Sequence, residues 1–220
     1  NPSSNSIKGE IVRSICSDDD GMIWFCTEDG WLNRLDPQTR IVKNYEIVRK
    51  LNMHEIVMDN DKLWVCSYGH GVYLFDIKRE RVAKHYNLPS NTTTTGLKTK
   101  DGNIYIGTLA GLYRYDPDND NFVHVEKFGT DYIHCMYQDN SEVIWIGTYG
   151  NGIYCMDKGE NVLSHTFPDT GENGNGLTSR FITSFAEDSQ KRIWVTTEGG
   201  GICYTTPEYD IKDLHFNNIS

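Results

Sequence analysis

Residues 143–157, VIWIGTYGNGIYCMD, decide the fold, because the same pattern occurs five times along the chain. Its counterparts are MIWFCTEDGWLNRLD (22–36), KLWVCSYGHGVYLFD (62–76), NIYIGTLAGLYRYD (103–116) and RIWVTTEGGGICYTT (192–206). All five align on one aromatic anchor, which is Trp24, Trp64, Tyr105, Trp145 or Trp194, at intervals of 40, 41, 40 and 49 residues. A period of about 40 residues is typical of the four-stranded blades of a β-propeller, whereas helical and leucine-rich solenoids repeat at shorter intervals.

Each repeat also carries the signals of four strands. An alternating run such as Val12-Arg13-Ser14-Ile15 predicts a first strand. A polar turn follows it and begins at Asp18, Asp59, Lys100, Asp139 or Asp188. The aromatic segment is the second strand, and a glycine turn, a third strand and a weaker fourth strand complete the unit. No stretch shows helical periodicity, so we predict an all-β chain in which residues 1–220 form a single β-propeller region of four-stranded antiparallel blades.

The composition restricts the class of partner. The chain has a formal net charge of −10 and no cluster of Lys and Arg, which argues against nucleic acid and anionic membrane surfaces and favours a neutral or cationic ligand. The longest apolar runs, such as 143–146, are far shorter than the roughly 20 residues of a membrane helix. The first residues carry neither an initiator Met nor a signal sequence, as expected of an excised or processed product. No cofactor motif is present.

Six cysteines lie in strand-like runs without any C-x-x-C pair, so zinc and redox sites are not expected. We predict that they are small buried hydrophobic residues. Disulfides remain open within the first repeat, between Cys16 and Cys26, and within the fourth, between Cys135 and Cys155. The seven His residues show no i, i+4 pairing and no shared repeat position, which argues against a metal cluster.

These repeats resemble the two-component regulator propeller repeat, and Ile144-Trp145-Ile146-Gly147-Thr148 with Gly150 and Gly152 carries the resemblance. The pattern covers about residues 11–216, with departures at Cys26, Cys66, Thr196 and Gln190-Lys191. The resemblance implies the periplasmic sensor region of a hybrid histidine kinase. In that family such blades detect polysaccharide breakdown products and signal to a cytoplasmic kinase that controls carbohydrate-utilisation genes. No kinase motif lies in this chain, so no catalysis is expected of it.

The resemblance also favours an incomplete arc of a larger ring over a closed five-bladed one. The expected partners are therefore an oligosaccharide, the remaining blades and kinase domains of a parent chain, and further copies of the chain that cover exposed edges. Nucleic acid is not expected, nor is membrane contact within this stretch.

Ligand-binding residues are expected where the turns between second and third strands meet the links between blades. The turns contribute Glu28, Asp29, Trp31, Tyr68, His70, Tyr149, Asn151 and Glu198, and the links contribute Arg13, His54, Tyr132, His134 and Arg180. Aromatic rings beside carboxylates and amides suit a sugar, because its C–H faces stack while its hydroxyls need directed partners.

Two further segments have plainer interpretations. The insertion at 167–176 is predicted to be a flexible loop and, as the alternative, a lid over the ligand. The acidic stretch 116–121 has Asn121 and Lys127 where a calcium loop needs Gly and Glu, so we predict a hairpin turn.

Two rival functions stay open beside the sensor. One is a propeller glycosidase or lyase, which needs converging carboxylates. The aspartates at 18, 59, 139 and 188 recur in register and so indicate turn chemistry instead. The other rival is a protein-interaction scaffold, which would show a large apolar patch on one face.

Overall fold

Each repeat forms one four-stranded antiparallel sheet whose strands lie side by side in chain order. The computed structural model describes residues 5–169 and 174–219. The first sheet consists of β1 (Val12–Ser17), β2 (Ile23–Thr27), β3 (Trp31–Leu35) and β4 (Val42–Glu46). The second consists of β5 (Met53–Asp59), β6 (Lys62–Ser67), β7 (Gly71–Asp76) and β8 (Arg81–Tyr86). The third consists of β9 (Thr93–Lys98), β10 (Ile104–Thr108), β11 (Gly111–Asp116) and β12 (Asn121–His124).

The remaining two sheets follow the same plan. The fourth consists of β13 (Ile133–Gln138), β14 (Ile144–Thr148), β15 (Ile153–Met156) and β16 (Val162–Thr166). The fifth consists of β17 (Ile182–Glu187), β18 (Ile193–Thr197), β19 (Gly201–Thr205) and β20 (Phe216–Ile219). One turn of 3₁₀ helix, Glu126–Phe128, follows β12. The predicted fold class, an all-β propeller with five four-stranded blades, is confirmed, while the incomplete arc stays a prediction.

The anchor tryptophans are held by the aspartate that opens each polar turn. The Trp24 indole Nε1–H donates to the Asp18 carboxylate at 2.7 Å, and the Trp145 indole Nε1–H donates to the Asp139 carboxylate at 2.9 Å. The second and fifth sheets repeat this bond between Asp59 and Trp64, and between Asp188 and Trp194. The other carboxylate oxygen usually accepts turn N–H groups, as Asp139 does from the Val143 amide. The recurring aspartates are therefore structural, as the sequence indicated.

The turns between second and third strands are fixed by a hydroxyl and a glycine. In every repeat the Ser or Thr that ends the second strand donates to the carbonyl at the start of the third, as Thr148 does to Gly152 at 2.9 Å. Gly152 has φ 71°, and a Cβ there would lie 2.2 Å from the Thr166 carbonyl oxygen. Only glycine can adopt this positive φ and also fit against the carbonyl oxygen, which explains why it recurs at this position.

The described residues divide into two compact units, and the boundary runs through the third sheet. The first unit comprises residues up to 98 together with Tyr115–Val123, and its core surrounds Trp24, Leu63 and Phe75. The second unit comprises Thr99–Arg114 and residues from His124 onward, and its core surrounds Trp145, Ile182 and Val195.

Histidine placement corrects one sequence-based conclusion. His85, His124 and His165 do share a repeat position, on the fourth strand of the second, third and fourth sheets. Each ring faces a tyrosine of the third strand, with centroids 4.1 Å apart for Tyr73–His85 and 3.7 Å apart for Tyr154–His165. Each Nε2 lies within 2.6–2.8 Å of a loop carbonyl oxygen. Because a carbonyl oxygen can only accept a hydrogen bond, these nitrogens are donors, and the three histidines have a structural role. Their shared repeat position was not recognised in the sequence because the residues around them differ between repeats.

Other expectations have clear outcomes. All six cysteines are free thiols, four of them buried, so neither open disulfide forms in this structure. The stretch 116–121 is the β11–β12 turn, in which Asp116 accepts from the Asp118 amide and the Asn119 side chain. The described part of the chain contains no helix long and apolar enough to cross a membrane. The insertion at 167–176 lies partly outside the described residues.

Candidate functional site

The candidate residues are organised by a β-bulge that recurs at the start of the first strand. In four sheets the register shifts by one residue, and the extra residues are Arg13, His54, His134 and Thr183. A bulge re-aims its side chain out of the regular alternation. The residue after the second strand donates its N–H to the carbonyl two residues before the bulge, as Tyr149 does to Tyr132 at 2.9 Å. Each bulged residue is therefore placed beside the first residue of a turn.

In the first sheet this pair is an ion pair. Arg13 Nη2 donates to Glu28 Oε2 at 2.7 Å, with both side chains partly exposed. Next to it, Glu28 and Asp29 line a shallow cleft of about 180 Å³ together with Glu10 and Ile11. Trp31, at the start of β3, lies beneath the ammonium of Lys8, which is 4.3 Å from the ring centroid. This part of the first unit is acidic, and Trp31 already has a cation on its face.

In the second sheet the pair is aromatic. The His54 and Tyr68 rings stack with centroids 5.5 Å apart and planes 27° apart, and Tyr68 is 46% exposed. His70 lies in the same turn with an exposed side chain, and its carbonyl accepts from His85. His54 and Tyr68 thus form a flat, solvent-facing surface in the first unit.

The second unit contains a larger aromatic cluster, which we call the aromatic platform and define as Tyr132, His134, Tyr149 and Phe181. Centroid distances are 5.3 Å for Tyr132–Tyr149, 5.6 Å for His134–Tyr149 and 4.8 Å for Tyr149–Phe181. His134 Nδ1 lies 3.1 Å from the Tyr132 hydroxyl, and Tyr149 is 39% exposed. The rings pack on one another rather than around a cavity, so they offer ring faces and edges to a ligand.

An exposed carboxylate, Glu198, lies beside the platform. The Tyr149 hydroxyl donates to the Glu198 carboxylate, and this hydrogen bond raises the pKa of Tyr149. Burial lowers the pKa of His134, and the nearby Glu198 charge opposes that shift only in part. A pKa below the ordinary value means that His134 is neutral at pH 7. The platform therefore presents a neutral imidazole, two phenols and the Phe181 ring, with the Glu198 carboxylate beside them.

The last two candidates have different surroundings. Asn151 donates to the Asp131 carboxylate and to the Tyr154 hydroxyl, each at 2.7 Å, so its amide is occupied in holding the turn. Arg180 has an exposed side chain, with its guanidinium carbon 5.2 Å from the Phe181 ring centroid. Of the two, only Arg180 extends a hydrogen-bonding group towards solvent beside the platform.

Sequence reasoning missed two residues. Phe181 lies 13 residues before the anchor Trp194, as Tyr132 lies 13 residues before Trp145, so aligning the repeats on the anchor would have found it. Glu55 follows the bulge in β5, where the other repeats have Ser14, Thr95, Cys135 and Ser184. Its carboxylate accepts from the Ser14 hydroxyl at 2.7 Å, and burial raises its pKa. The signal for Glu55 was its departure from the small residues at that position.

The larger clefts lie elsewhere. A cleft of about 580 Å³ in the second unit is lined by residues such as Val143, Lys191 and Tyr209. It lies where β13 ends and β14 begins, whereas the platform lies where β13 begins and β14 ends. In the second unit the candidate residues instead form an exposed surface, the aromatic platform.

Comparisons with known proteins provide the biological context. A family model described as "Domain of unknown function (DUF5074)" matches residues 9–206. The chain is 26% identical over 206 residues to histidine kinase P4 of Formosa agariphila, a match that covers 91% of this chain and 12% of that kinase. It therefore spans only a small part of this relative.

Solved structures agree with the fold. The extracellular domain of a putative hybrid two-component system of B. thetaiotaomicron superposes with a TM-score of 0.80 at 26% identity, over 93% of this chain and 28% of that one. The similarity to two-component sensors that the repeats indicated is thus confirmed. Virginiamycin B lyase of Staphylococcus aureus superposes with a TM-score of 0.70 at 13% identity, over 89% and 66% of the two chains, which shows a shared fold alone.

Proposed function

This chain belongs to the DUF5074 domain family, and from that membership and its likeness to a sensor ectodomain and a histidine kinase we propose that it is an extracytoplasmic sensing module of a two-component histidine kinase. The observation that carries the proposal is the 26% identity to the sensor ectodomain over 93% of the chain. On this proposal the periplasm is its location, and kinase activity belongs to the remainder of a longer protein.

The ligand is an oligosaccharide, and the aromatic platform is its contact surface. Phenol and imidazole rings can stack on the C–H faces of sugar rings. Around them, Glu198 accepts hydrogen bonds from sugar hydroxyls and Arg180 donates to sugar oxygens. His54 and Tyr68 provide a second surface of the same kind in the first unit. Support for the proposal comes from the concentration of these groups at bulges and turns, since binding residues commonly lie on the connections between strands.

Signalling operates by population shift. An oligosaccharide that binds one arrangement of the sensor more tightly than another biases the equilibrium by that difference in affinity. The carbohydrate-utilisation genes of the implied pathway respond to the resulting kinase activity.

The proposal is tested by calorimetric titration of the full-length protein with plant and host glycan oligosaccharides, combined with chromatography of the sugars afterwards. Saturable binding without cleavage is expected. Tyr149→Ala should weaken binding about tenfold, because an aromatic contact contributes roughly 1 kcal/mol beyond area burial. Val162→Ala is the control, since Val162 is exposed to a similar degree, 37% against 39%, and lies on β16 outside the platform.

Each outcome has a definite meaning. Binding that is weakened by Tyr149→Ala and unchanged by Val162→Ala supports the sensor site. Equal effects of the two substitutions on affinity would show that the platform is not the contact surface for the ligand. Cleaved sugars would favour the rival glycosidase or lyase. The absence of binding to every glycan would favour a protein-binding scaffold.

A further inference from the structure

Two departures from the repeat meet at the cleft of about 580 Å³ in the second unit. The connection between β19 and β20, which we call the long connection, has ten residues, 206–215, whereas the corresponding turns of the other four sheets have four to six. The β17–β18 turn has Lys191 at its left-handed position, with φ 64°. No cation occupies this position in the other four turns, which have Gly21, Asn60, Gly102 and Glu142. The blade itself requires neither departure, so a role specific to this cleft is expected of them.

The long connection forms a fixed wall of the cleft. The Tyr209 hydroxyl donates to the Asp139 carboxylate at 3.1 Å, and the Tyr209 ring packs edge-on against Trp145 with centroids 5.6 Å apart. Farther along, Leu214 is only 3% exposed, so the connection is held at two points. A wall that is ordered before a ligand arrives lowers the entropic cost of binding.

The cleft carries charges of both signs. Glu187, at the end of β17, accepts from the Asn140 amide at 2.7 Å, and Asp210 accepts from the Lys212 amide at 2.9 Å. These bonds orient the two carboxylates without neutralising their charge. The Lys191 side chain is exposed and makes no ion pair with the residues that the structure describes. Two acids and one ammonium are therefore available to a ligand.

Apolar side chains lie beside these charges. Val143 of the β13–β14 turn and Ile211 of the long connection both line the cleft and are partly exposed. An apolar group that packs against them removes apolar surface from water, which favours binding. Clefts of roughly 300–1,000 Å³ suit ligands of drug size, which are larger than a single amino acid.

These features together select a class of ligand. An organic cation would be repelled by Lys191, and an organic anion would be repelled by Glu187 and Asp210. A zwitterion with an apolar body avoids both penalties, because its ammonium can bind a carboxylate of the cleft while its own carboxylate binds Lys191. We propose that the cleft binds short apolar peptides through their two free termini, as a second ligand besides the oligosaccharide of the platform.

The test is calorimetric titration of the full-length protein with L-leucyl-L-phenylalanine and two blocked forms of it. The N-acetyl form lacks the ammonium, and the C-terminal amide lacks the carboxylate. We expect saturable binding of the free dipeptide and about tenfold lower affinity for each blocked form, because each loses one charge-assisted hydrogen bond. The inference is overturned if the free dipeptide does not bind at millimolar concentration, or if either blocked form binds as tightly as the free one.

Matched lysine variants locate the carboxylate of the peptide. Lys191→Gly removes the ammonium and puts at φ 64° the residue type that best tolerates this backbone, so the turn is retained. Lys50→Gly is the control, because Lys50 is also an exposed lysine with φ 62° and lies in the first unit. Lys191→Gly should weaken binding of the free dipeptide about tenfold and leave binding of the amide unchanged, whereas Lys50→Gly should change neither. Equal effects of the two variants would overturn the inference.

The acids are tested in the same way. Glu187→Gln and Asp210→Asn remove the charge but keep an oxygen that accepts from the backbone amide. At least one of the two variants should weaken binding of the free dipeptide without affecting the N-acetyl form. Unchanged affinity in both variants would overturn the inference. The dipeptide titration needs neither a glycan nor the aromatic platform, so it can succeed where the oligosaccharide proposal fails.

Discussion

At the scale of single residues, the third repeat shows why two substitutions occur together. Its anchor is Tyr105 instead of Trp, and the position of the anchoring aspartate is Thr99. Thr99 bonds within its own turn, to Asp101 at 2.5 Å, and the Tyr105 hydroxyl donates to Glu160 at 3.1 Å. A buried indole N–H without an acceptor would cost about 1–3 kcal/mol. Once the aspartate is lost, a phenol that reaches a different acceptor removes that cost.

A second residue-scale feature is a carboxylic acid whose protonated form the fold favours. Burial raises the pKa of Glu55, and the hydrogen bond from Ser14 offsets this only in part. Burial, with Glu55 contributing next, also raises the pKa of the Cys16 thiol to about 12. Because the folded-state pKa of Glu55 is above its unfolded value, its contribution to stability is present below the unfolded pKa and is lost as pH rises through the folded one.

We therefore predict that Glu55→Gln stabilises the chain at neutral pH. The neutral amide keeps the size of the side chain and avoids the burial of a charge, so the urea midpoint should rise at pH 7.5, with a smaller gain at pH 4. Glu46→Gln is the control, because Glu46 is an exposed residue of β4. Urea denaturation at the two pH values measures both variants. A larger gain at pH 4 than at pH 7.5 would contradict the assignment.

At the scale of strands and turns, Lys84 and Tyr86 of the second sheet donate hydrogen bonds to Asp120 and so connect that sheet to the β11–β12 turn. We call this contact the clamp. Hydrogen bonds from Lys84, Tyr86 and Tyr115 lower the pKa of Asp120, with Lys84 making the largest contribution. A depressed folded-state pKa gives stability that is present above the unfolded pKa of about 3.9 and is lost as pH falls further. The turn therefore contributes to acid sensitivity.

Asp120→Asn is expected to lower the urea midpoint at pH 7 and to flatten its fall between pH 5 and pH 2. The amide cannot form the ion pair with Lys84, and it does not titrate in this range. Asp118→Asn is the matched control, because Asp118 is an exposed carboxylate two residues away in the same turn. It should leave the pH profile unchanged. The role of the clamp would be disproved by Asp120→Asn and Asp118→Asn having the same profile.

The elements also show what the sequence could and could not predict. The strands and the turn aspartates were predictable, because each depends on local signals such as Asp139 and Gly152 that recur in register. The bulges at His54 and His134 were not predictable, because a one-residue register shift depends on the pairing between strands and leaves no mark in the alternation of the sequence. For the same reason the sequence could name the candidate residues one by one, while their pairing into His54–Tyr68 and His134–Tyr149 required the structure.

At the scale of the whole molecule, the sequence patterns could not predict the hydrogen bonds between neighbouring sheets or the consequence of the net charge. The hydrogen bonds join residues about 35 or more positions apart, such as Tyr45 and Glu80, and no local rule connects them. The net charge of −10 was available from the sequence, but its consequence depends on where ligands bind. Acidic groups lie at the candidate surfaces of both units, with Glu28 and Asp29 in the first and Glu198 in the second.

This charge makes the salt dependence of binding a test of ligand class. A neutral oligosaccharide has no charge to screen, so its dissociation constant should change less than about twofold between about 50 and 500 mM NaCl. A cationic ligand would bind more weakly at high salt, because the screening length shortens from above 10 Å to a few Å and the attraction to the acidic surface is lost. An anionic glycan would bind more tightly at high salt, because its repulsion by the chain is screened.

Calorimetric titration at the two salt concentrations distinguishes the three classes. The Glu198→Gln variant provides the internal control. For a neutral sugar it should change affinity equally at both salt concentrations, since an amide oxygen is a weaker acceptor than a carboxylate at short range and the sugar carries no charge that the lost negative charge could attract. A Glu198→Gln effect that disappears at high salt would instead show that the ligand is charged, and the neutral oligosaccharide would then be the wrong ligand class.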